Sequence, residues 1–246
     1  MSTISELFSW LFWIGGIALA FQYLIVPLAV YAFSASPGHY SFEPIEWEHF
    51  VADRSEKYLL LLGELENLGF HHSVASRMMM SASETTFAVF AHSDLPATAT
   101  LMSGVNTTGE TIVLEFSLAL SDGTNLCLTN SPHPQIFPQW DRKIHFRDPS
   151  IANANDLFTL FRHISEKYRH RKPVRLEEGR ELEVISNYLN DEVTELIRRG
   201  YWRMSADRKV VRPTLQSAYL SSWRLRWPYK AILNRADSRR VRRAAA

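Results

Sequence analysis

An uninterrupted apolar segment dominates the beginning of the chain. No Asp, Glu, Lys or Arg occurs between Glu6 and Glu43, and residues 7–33 are almost wholly apolar. A helix rises 1.5 Å per residue, so about 20 such residues span a hydrocarbon core of roughly 30 Å. A core helix of a soluble domain is rarely this long without a charge. The pattern therefore predicts a single transmembrane helix, with residues 1–34 as the anchor.

A cleavable signal peptide is the alternative for this segment. Such a peptide has a basic start, a shorter apolar stretch of about 7–15 residues and small residues before the cleavage site. The first six residues contain no Lys or Arg, although Ala32, Ser34 and Ser36 imitate a cleavage site. The missing cations and the length of the apolar run favour a retained anchor.

The pattern after the anchor changes first to a linker and then to a helix. Residues 35–45 contain two Pro and one Gly, which is typical of a linker. Apolar residues then recur at helical spacing over about 47–68, and Gly69 suits a left-handed C-cap. The apolar stripe of this predicted helix consists of Trp47, Val51, Tyr58, Leu62 and Leu65.

Apolar and polar residues alternate between positions 71 and 130. The clearest strand covers 110–120, where every second residue is apolar, and Asp122-Gly123 after it suits a tight hairpin turn. Short connections predict an antiparallel meander of about five strands. These strands are expected at about 71–80, 85–92, 97–105 and 110–120, with a fifth that contains Leu126 and Leu128.

Helical spacing returns after the meander. An amphipathic helix is predicted over about 155–169, with Asn153 or Asn155 as its cap. Helix, meander and helix together make an α+β domain over 46–172. A sheet with one apolar and one mixed face is expected to be covered by helices on its apolar side.

The C-terminal part is expected to form a second, basic unit. Its pattern predicts a helix at about 178–199, a hairpin at 201–212 and a last helix from Thr214 to Pro228. We assign residues 173–232 to this helix–hairpin–helix subdomain. Residues 233–246 are expected to be a solvated basic tail.

The net charge of +1 conceals a strong asymmetry. Residues 198–246 contain 14 Lys or Arg and two acids, whereas residues 1–197 contain 13 Lys or Arg and 24 acids. Such a division indicates that the C-terminal part meets an anionic surface, or folds against the acidic part of its own chain.

The positions of the cations also predict an orientation. The segment before the anchor contains no Lys or Arg, and Arg54 and Lys57 are the first cations after it. By the positive-inside rule, the short N-terminus lies outside the cell membrane and the large domain lies in the cytoplasm. The single cysteine, Cys127, agrees with this because it can form no internal disulfide.

The connection from 129 to 149 is the first candidate for chemistry. It is long for a loop, contains several prolines and carries a possible acid/base pair, His145 with Asp141, together with His133 and Arg147. A catalytic loop would place a histidine in a pocket beside a carboxylate. A structural crossover would bury Trp140 and leave both histidines solvated.

Other catalytic and binding motifs are not recognisable. The nine histidines and the one cysteine lack the spacing of zinc ligands, and no P-loop or dinucleotide-binding glycine pattern occurs. We therefore expect no metal and no cofactor, and Cys127 is interpreted as a structural residue.

The second candidate is a segment near the C-terminus in which cations alternate with amphipathic rings. Such residues favour the headgroup level of an anionic leaflet, so we expect residues 219–243 to lie on the membrane surface. The residues assigned to this contact are Trp223, Arg224, Arg226, Trp227, Tyr229 and Lys230.

The helix, Gly200 and the basic hairpin after it loosely resemble the end of a winged-helix module. The resemblance covers about 40 residues, has no specific motif and implies nucleic-acid binding. The acidic side chains of the helix would repel phosphates, so nucleic acid is an unlikely partner.

The sequence thus predicts a single-pass membrane protein whose cytoplasmic α+β domain acts without catalysis, as a scaffold, assembly or regulatory factor with a protein partner. The first alternative is a membrane-tethered enzyme with its site under the 129–149 loop. The second is a membrane-tethered, winged-helix-like nucleic-acid-binding protein.

Overall fold

The computed structural model describes residues 2–79, 84–106, 109–177 and 179–246. They form a mixed α+β fold with a large eight-stranded sheet, as the sequence predicts for the class, and the sheet has more strands than the five expected. The helices are α1 Ser2–Ala20, α2 Val26–Phe33, α3 Trp47–Ala52, α4 Glu56–Asn67, α5 Ala154–Lys167, α6 Glu181–Arg198, α7 Leu215–Arg224 and α8 Tyr229–Ala245. The strands are β1 Ser36–Pro37, β2 Phe42–Ile45, β3 Phe70–Met79, β4 Glu84–His92, β5 Thr98–Asn106, β6 Gly109–Leu120, β7 Asn125–Thr129, β8 Lys143–Arg147, β9 Pro173–Val174, β10 Trp202–Met204 and β11 Val210–Pro213.

The predicted meander forms the centre of the large sheet. The strand order is β2-β3-β4-β5-β6-β7-β8, with antiparallel pairing from β2 to β7. The additional strands are β2, β9, which pairs with β6, and β8, which runs parallel to β7. The predicted strand 71–80 corresponds to β3, but Met80 lies outside the described residues.

The apolar face of the sheet packs against α4 and α5 and forms the main core. Phe158 of α5 lies 5.1 Å from Phe70 and 5.0 Å from Phe116, measured between ring centroids. The Asn153 side chain accepts from the Asp156 amide at 2.8 Å and caps α5. Fully burying each large apolar side chain contributes about 1.5–3 kcal/mol, so this layer fixes the sheet on that side.

The predicted helix 47–68 is interrupted. Two helices, α3 and α4, replace it because Ser55 caps α4 by accepting a hydrogen bond from the Tyr58 amide at 3.3 Å. The predicted C-cap is present, with Gly69 at a φ of +88°.

Residues 35–45, expected to be a linker, are held by pairing at both ends. Strand β1 pairs with β11 in a small sheet of order β1-β11-β10, and β2 pairs with β3 in the large sheet. Between these strands the Tyr40 amide donates to Asn190 of α6 at 2.8 Å. The two prolines give no indication of this strand pairing, because proline occurs at strand edges as well as in linkers.

Residues 233–246, expected to be a solvated tail, instead belong to α8. Val241 is fully buried against the main core, and Asp237 binds the buried Arg147 of β8, with 2.6 Å between oxygen and nitrogen. The sequence does not indicate this docking, because Val241 stands alone among arginines and a single buried residue gives no periodic signal.

The apolar N-terminal segment is helical from Ser2 to Phe33, with a π-helical stretch at Phe21–Ile25 between α1 and α2. Within the described residues, Phe8–Phe33 is the one helix long and apolar enough to cross a membrane, and almost none of its side chains is fully buried. Length and composition of this kind also occur in signal sequences.

Candidate functional site

The 129–149 segment is a connector between the sheet and the C-terminal subdomain. It leaves the end of β7 and returns as β8, and midway Phe137 packs on Tyr201 with 5.0 Å between ring centroids. The Arg224 guanidinium donates to the Gln135 carbonyl oxygen at 3.2 Å. The segment thus fixes two parts of the fold to each other.

The structure brings part of the predicted site together: the charge of Arg147 acts on both His133 and His145, whereas the Asp141 carboxylate acts on Arg198. His133 and Asp141 are exposed, whereas His145 is half-buried and Arg147 is fully buried. The carboxylate close to His145 is Glu115 of β6, whose Oε2 lies 3.9 Å from Nε2 of the histidine. The carboxyl group beside His145 is thus that of Glu115 and not the predicted Asp141.

Arg147 has a structural role. Its guanidinium donates to Asp237 at 2.6 and 3.0 Å, to the Asn234 side chain at 2.8 Å and to the Ser131 carbonyl oxygen at 3.0 Å. A buried cation is stable only when such acceptors surround it. Arg147 therefore holds α8 against the sheet.

A polar cluster that the sequence pattern does not indicate lies on the mixed face of the sheet, beneath α6. Lys143 of β8 donates to both carboxylate oxygens of Glu192 at 3.0 and 2.9 Å. The Cys127 thiol lies beside the Glu115 carboxyl group. The outward alternation in β6 placed Glu115 on a face that we expected to meet solvent, and α6 covers this part of it.

Burial determines the protonation of this cluster. It raises the pKa of the Glu115 carboxyl and raises the pKa of the Cys127 thiol well above its usual value, so neither group ionises readily. Burial also lowers the pKa of His145 to about 3, with the cations Lys143 and Arg147 acting in the same direction. Burial is the largest single influence on Lys143 and opposes its charge, but Glu192, Cys127 and Glu115 together outweigh burial and raise the pKa.

His145 is therefore neutral near pH 7 and Cys127 is a thiol. A neutral histidine forms no ion pair with a carboxyl group, and a nucleophilic cysteine requires a thiolate. The cluster can donate and accept hydrogen bonds, but the geometry contains no activated nucleophile.

The cluster lies at one end of a cavity of about 410 Å³ between α6 and the sheet, which we call the α6 groove. This volume falls in the range of small-molecule sites. Its walls are mostly apolar and come from strands β2 to β8 and from α6. The larger apolar side chains in the walls are Phe42, Met78, Phe87, Met102, Ile185 and Leu189.

The residues predicted to contact the membrane gather beside the apolar helix. The Trp227 side chain is 77% exposed, yet its carbonyl oxygen accepts hydrogen bonds from Gln22 and Tyr23, both at 3.1 Å. Trp223 packs edge-on against Tyr23 at 5.9 Å and stacks on Tyr229 at 6.0 Å. Arg226 is exposed and Lys230 is half-buried, whereas Arg224 is half-buried and bound to the connector.

The basic hairpin β10–β11 lies against the end of the same helix. The Arg203 guanidinium lies 4.7 Å from the ring centroid of Tyr31, and Arg212 approaches the Ala32 carbonyl oxygen at 3.5 Å. The hairpin that resembles a wing is thus engaged with the apolar helix.

No group of three or more His, Cys, Asp or Glu side chains that could hold a metal ion occurs in the described part of the chain. Comparison with known protein families, with characterised proteins and with solved structures gives no match to this chain.

Proposed function

We propose that this chain is a single-pass membrane protein that presents its α+β domain at the cytoplasmic surface, as a non-catalytic scaffold, assembly or regulatory factor. The observation that carries the proposal is the exposed apolar surface of Phe8–Phe33. Thirteen large apolar side chains on it are exposed, and leaving them in water costs on the order of tens of kcal/mol. A bilayer removes this cost.

Contacts at the C-terminal half of the helix support a retained anchor over a signal peptide. Pro27 is buried, and Gln22 and Tyr23 bind the backbone of Trp227. Cleavage near Ser34 would remove these partners from α7 and α8. A signal sequence has no such role in the mature fold.

The same contacts support a domain held close to the bilayer. Gln22 lies 14 residues beyond Phe8, a rise of about 21 Å, so it is about 9 Å short of the inner edge of a roughly 30 Å hydrocarbon core that begins at Phe8. Trp223, Trp227 and Tyr229 then lie on the inner side of that core, and their rings favour the adjacent headgroup level. Arg226 adds attraction to anionic headgroups. The distal part of α8 docks on the core, so the proposed surface contact is confined to about 223–230.

The alternative of an enzyme under the 129–149 segment has less support. His133 and Asp141 are exposed, the carboxyl group beside His145 is that of Glu115, and the buried cluster lacks an ionised nucleophile. The contacts of the apolar helix with the domain support a membrane-tethered scaffold and require no reaction.

Cysteine labelling in intact cells tests the orientation. Cys127 is buried, and a Cys127→Ser background leaves single reporters at Thr3→Cys and Ala246→Cys. A membrane-impermeant maleimide is expected to label the first reporter in intact cells and the second only after permeabilisation. Labelling of both reporters, or of Ala246→Cys alone, in intact cells would contradict the proposed topology.

Affinity purification from gently solubilised membranes tests the scaffold role. A stoichiometric protein partner is expected with the full chain. Purification of the chain alone, together with turnover of a small substrate by the pure protein, would favour the enzyme alternative.

A further inference from the structure

The α6 groove crosses most of the large sheet. Its lining extends from Met78 on β3 to Lys143 on β8, five strand spacings apart. At about 4.8 Å per spacing this span is about 24 Å. Its length and its mostly apolar walls suit one unbranched hydrocarbon chain.

The walls and the end of the groove differ in polarity. Phe87 and Met102 from the sheet and Ile185 and Leu189 from α6 supply apolar contact along its length. Methionine adapts to irregular partners, which suits a flexible hydrocarbon. The polar cluster lies at the β7–β8 end. This distribution matches an amphiphile with one polar head.

Charge at the polar end selects against an anionic head. Lys143 is neutralised by both oxygens of Glu192, and Glu115 adds a second carboxyl beside it. A fatty-acid carboxylate would therefore find no unpaired cation among the described residues of the cluster, and a buried anion without a cation is costly. An uncharged head avoids this cost.

One buried polar group in the wall is poorly satisfied. The Tyr188 hydroxyl is buried beside the Trp140 indole N–H, and neither group makes a well-formed hydrogen bond. A buried polar group without a partner costs about 1–3 kcal/mol. A hydroxyl or ester oxygen on a ligand would relieve this cost.

We infer that the α6 groove binds one long-chain, uncharged amphiphile, an acyl or alkyl chain with a hydroxyl or ester head, with the chain under α6 and the head at Tyr188 and Glu115. The inference rests on the proposed membrane anchor, because a tethered domain can draw such a molecule from the adjacent bilayer.

Photo-crosslinking of the full chain in nanodiscs tests this, since detergent alkyl chains would compete. The probe is hexadecanol with a mid-chain diazirine, and the matched probe is the corresponding hexadecanoic acid at pH 8. The alcohol is expected to label peptides of β5 and α6, with at least tenfold less labelling by the acid. Excess unlabelled hexadecanol should suppress groove labelling and leave labelling of α1 unchanged.

Two substitutions on the same sheet face provide the structural control. Thr100→Phe fills the groove and should reduce β5 and α6 labelling at least tenfold, whereas Thr111→Phe lies outside the lining and should leave it unchanged. Should Thr100→Phe fail to fold, Ala119→Leu, also in the lining, replaces it.

The labelling pattern separates the two proposals. Labelling of α1 without β5 or α6 would overturn the groove inference and leave the anchor intact. Absence of α1 labelling would overturn the anchor. Equal labelling by the acid and the alcohol would overturn the assignment of an uncharged head.

Discussion

Substitution of Asp237 by Ala is expected to release α8 from the domain. Arg147 is 2% exposed and Asp237 is 29% exposed, so removing the carboxylate leaves a buried guanidinium without its anion. Breaking a buried ion pair in this way costs about 3–5 kcal/mol. Arg147 keeps Asn234 and the Ser131 carbonyl, so we expect the lower end, about 3 kcal/mol.

Limited trypsin digestion of the full chain in nanodiscs measures this release. Cleavage within an opened helix follows the population of the open form when opening and closing are fast. A loss of about 3 kcal/mol corresponds to cleavage after Arg235 or Arg239 that is roughly 100-fold faster. The matched control is Asp207→Ala, which removes the other acid of residues 198–246 from an exposed turn and should change the rate less than about threefold.

The double variant Arg147→Met with Asp237→Leu separates the buried charge from the loss of packing. Replacing a buried pair by apolar side chains is often neutral, so protection of α8 is expected to return in part. Equal cleavage rates for the wild type and Asp237→Ala would refute the docking of α8 through Arg147.

Three further outcomes follow from the electrostatics of the domain. Cys127 should stay unmodified by N-ethylmaleimide at pH 7.5 until the protein unfolds, because burial raises the pKa of its thiol. The exposed control, Ser150→Cys in a Cys127→Ser background, should react within minutes. Rapid modification of Cys127 in the folded protein would contradict its burial. His145 has a folded pKa of about 3 against about 6.5 when unfolded, so the unfolded state binds the proton first and stability falls as the pH drops from about 6.5 towards 3. Relative to His145→Gln, the wild type should lose about 2–3 kcal/mol by pH 4.5 in thermal unfolding in nanodiscs, and parallel pH profiles of the two proteins would refute this. Replacing Arg226 and Lys230 by Gln should remove about 2 kcal/mol of attraction to an anionic leaflet. In anionic nanodiscs, this loss should lower the hydrogen-exchange protection of residues 223–230 roughly 30-fold. An equal loss of protection in neutral nanodiscs would exclude a contribution from the lipid charge.

Strong local periodicity made the centre of the fold predictable from the sequence. Strands β3 to β7 follow an alternation of apolar and polar residues, and α5 follows helical spacing. Gly69 marks the end of α4 and Asn153 marks the start of α5, each through local chemistry. These features depend on residues close together in the chain.

Features that depend on distant partners were not predictable. Strand β8 is short and follows several prolines, so the sequence pattern indicates a loop there. Parallel pairing with β7 stabilises the strand. Helix α8 carries one fully buried side chain, Val241, and docks through an ion pair formed across 90 residues. Neither contact leaves a periodic pattern in the sequence.

The polar cluster was missed for a related reason. Glu115 alternates onto the mixed face of β6, where a charge normally indicates solvent, and Lys143 lay in the presumed loop. Only the packing of α6 across that face turns these residues and Cys127 into the end of a groove. The sequence pattern therefore indicates His145 as a site residue but does not indicate Glu115, the carboxyl group beside it.

Membrane fractionation of cells that express the full chain with a C-terminal tag tests the central claim most directly. After an alkaline carbonate wash, the account predicts that the protein stays in the membrane pellet, with an intact mass that includes residues 1–34. Recovery in the soluble fraction, or loss of the N-terminal segment from the mature protein, would contradict it.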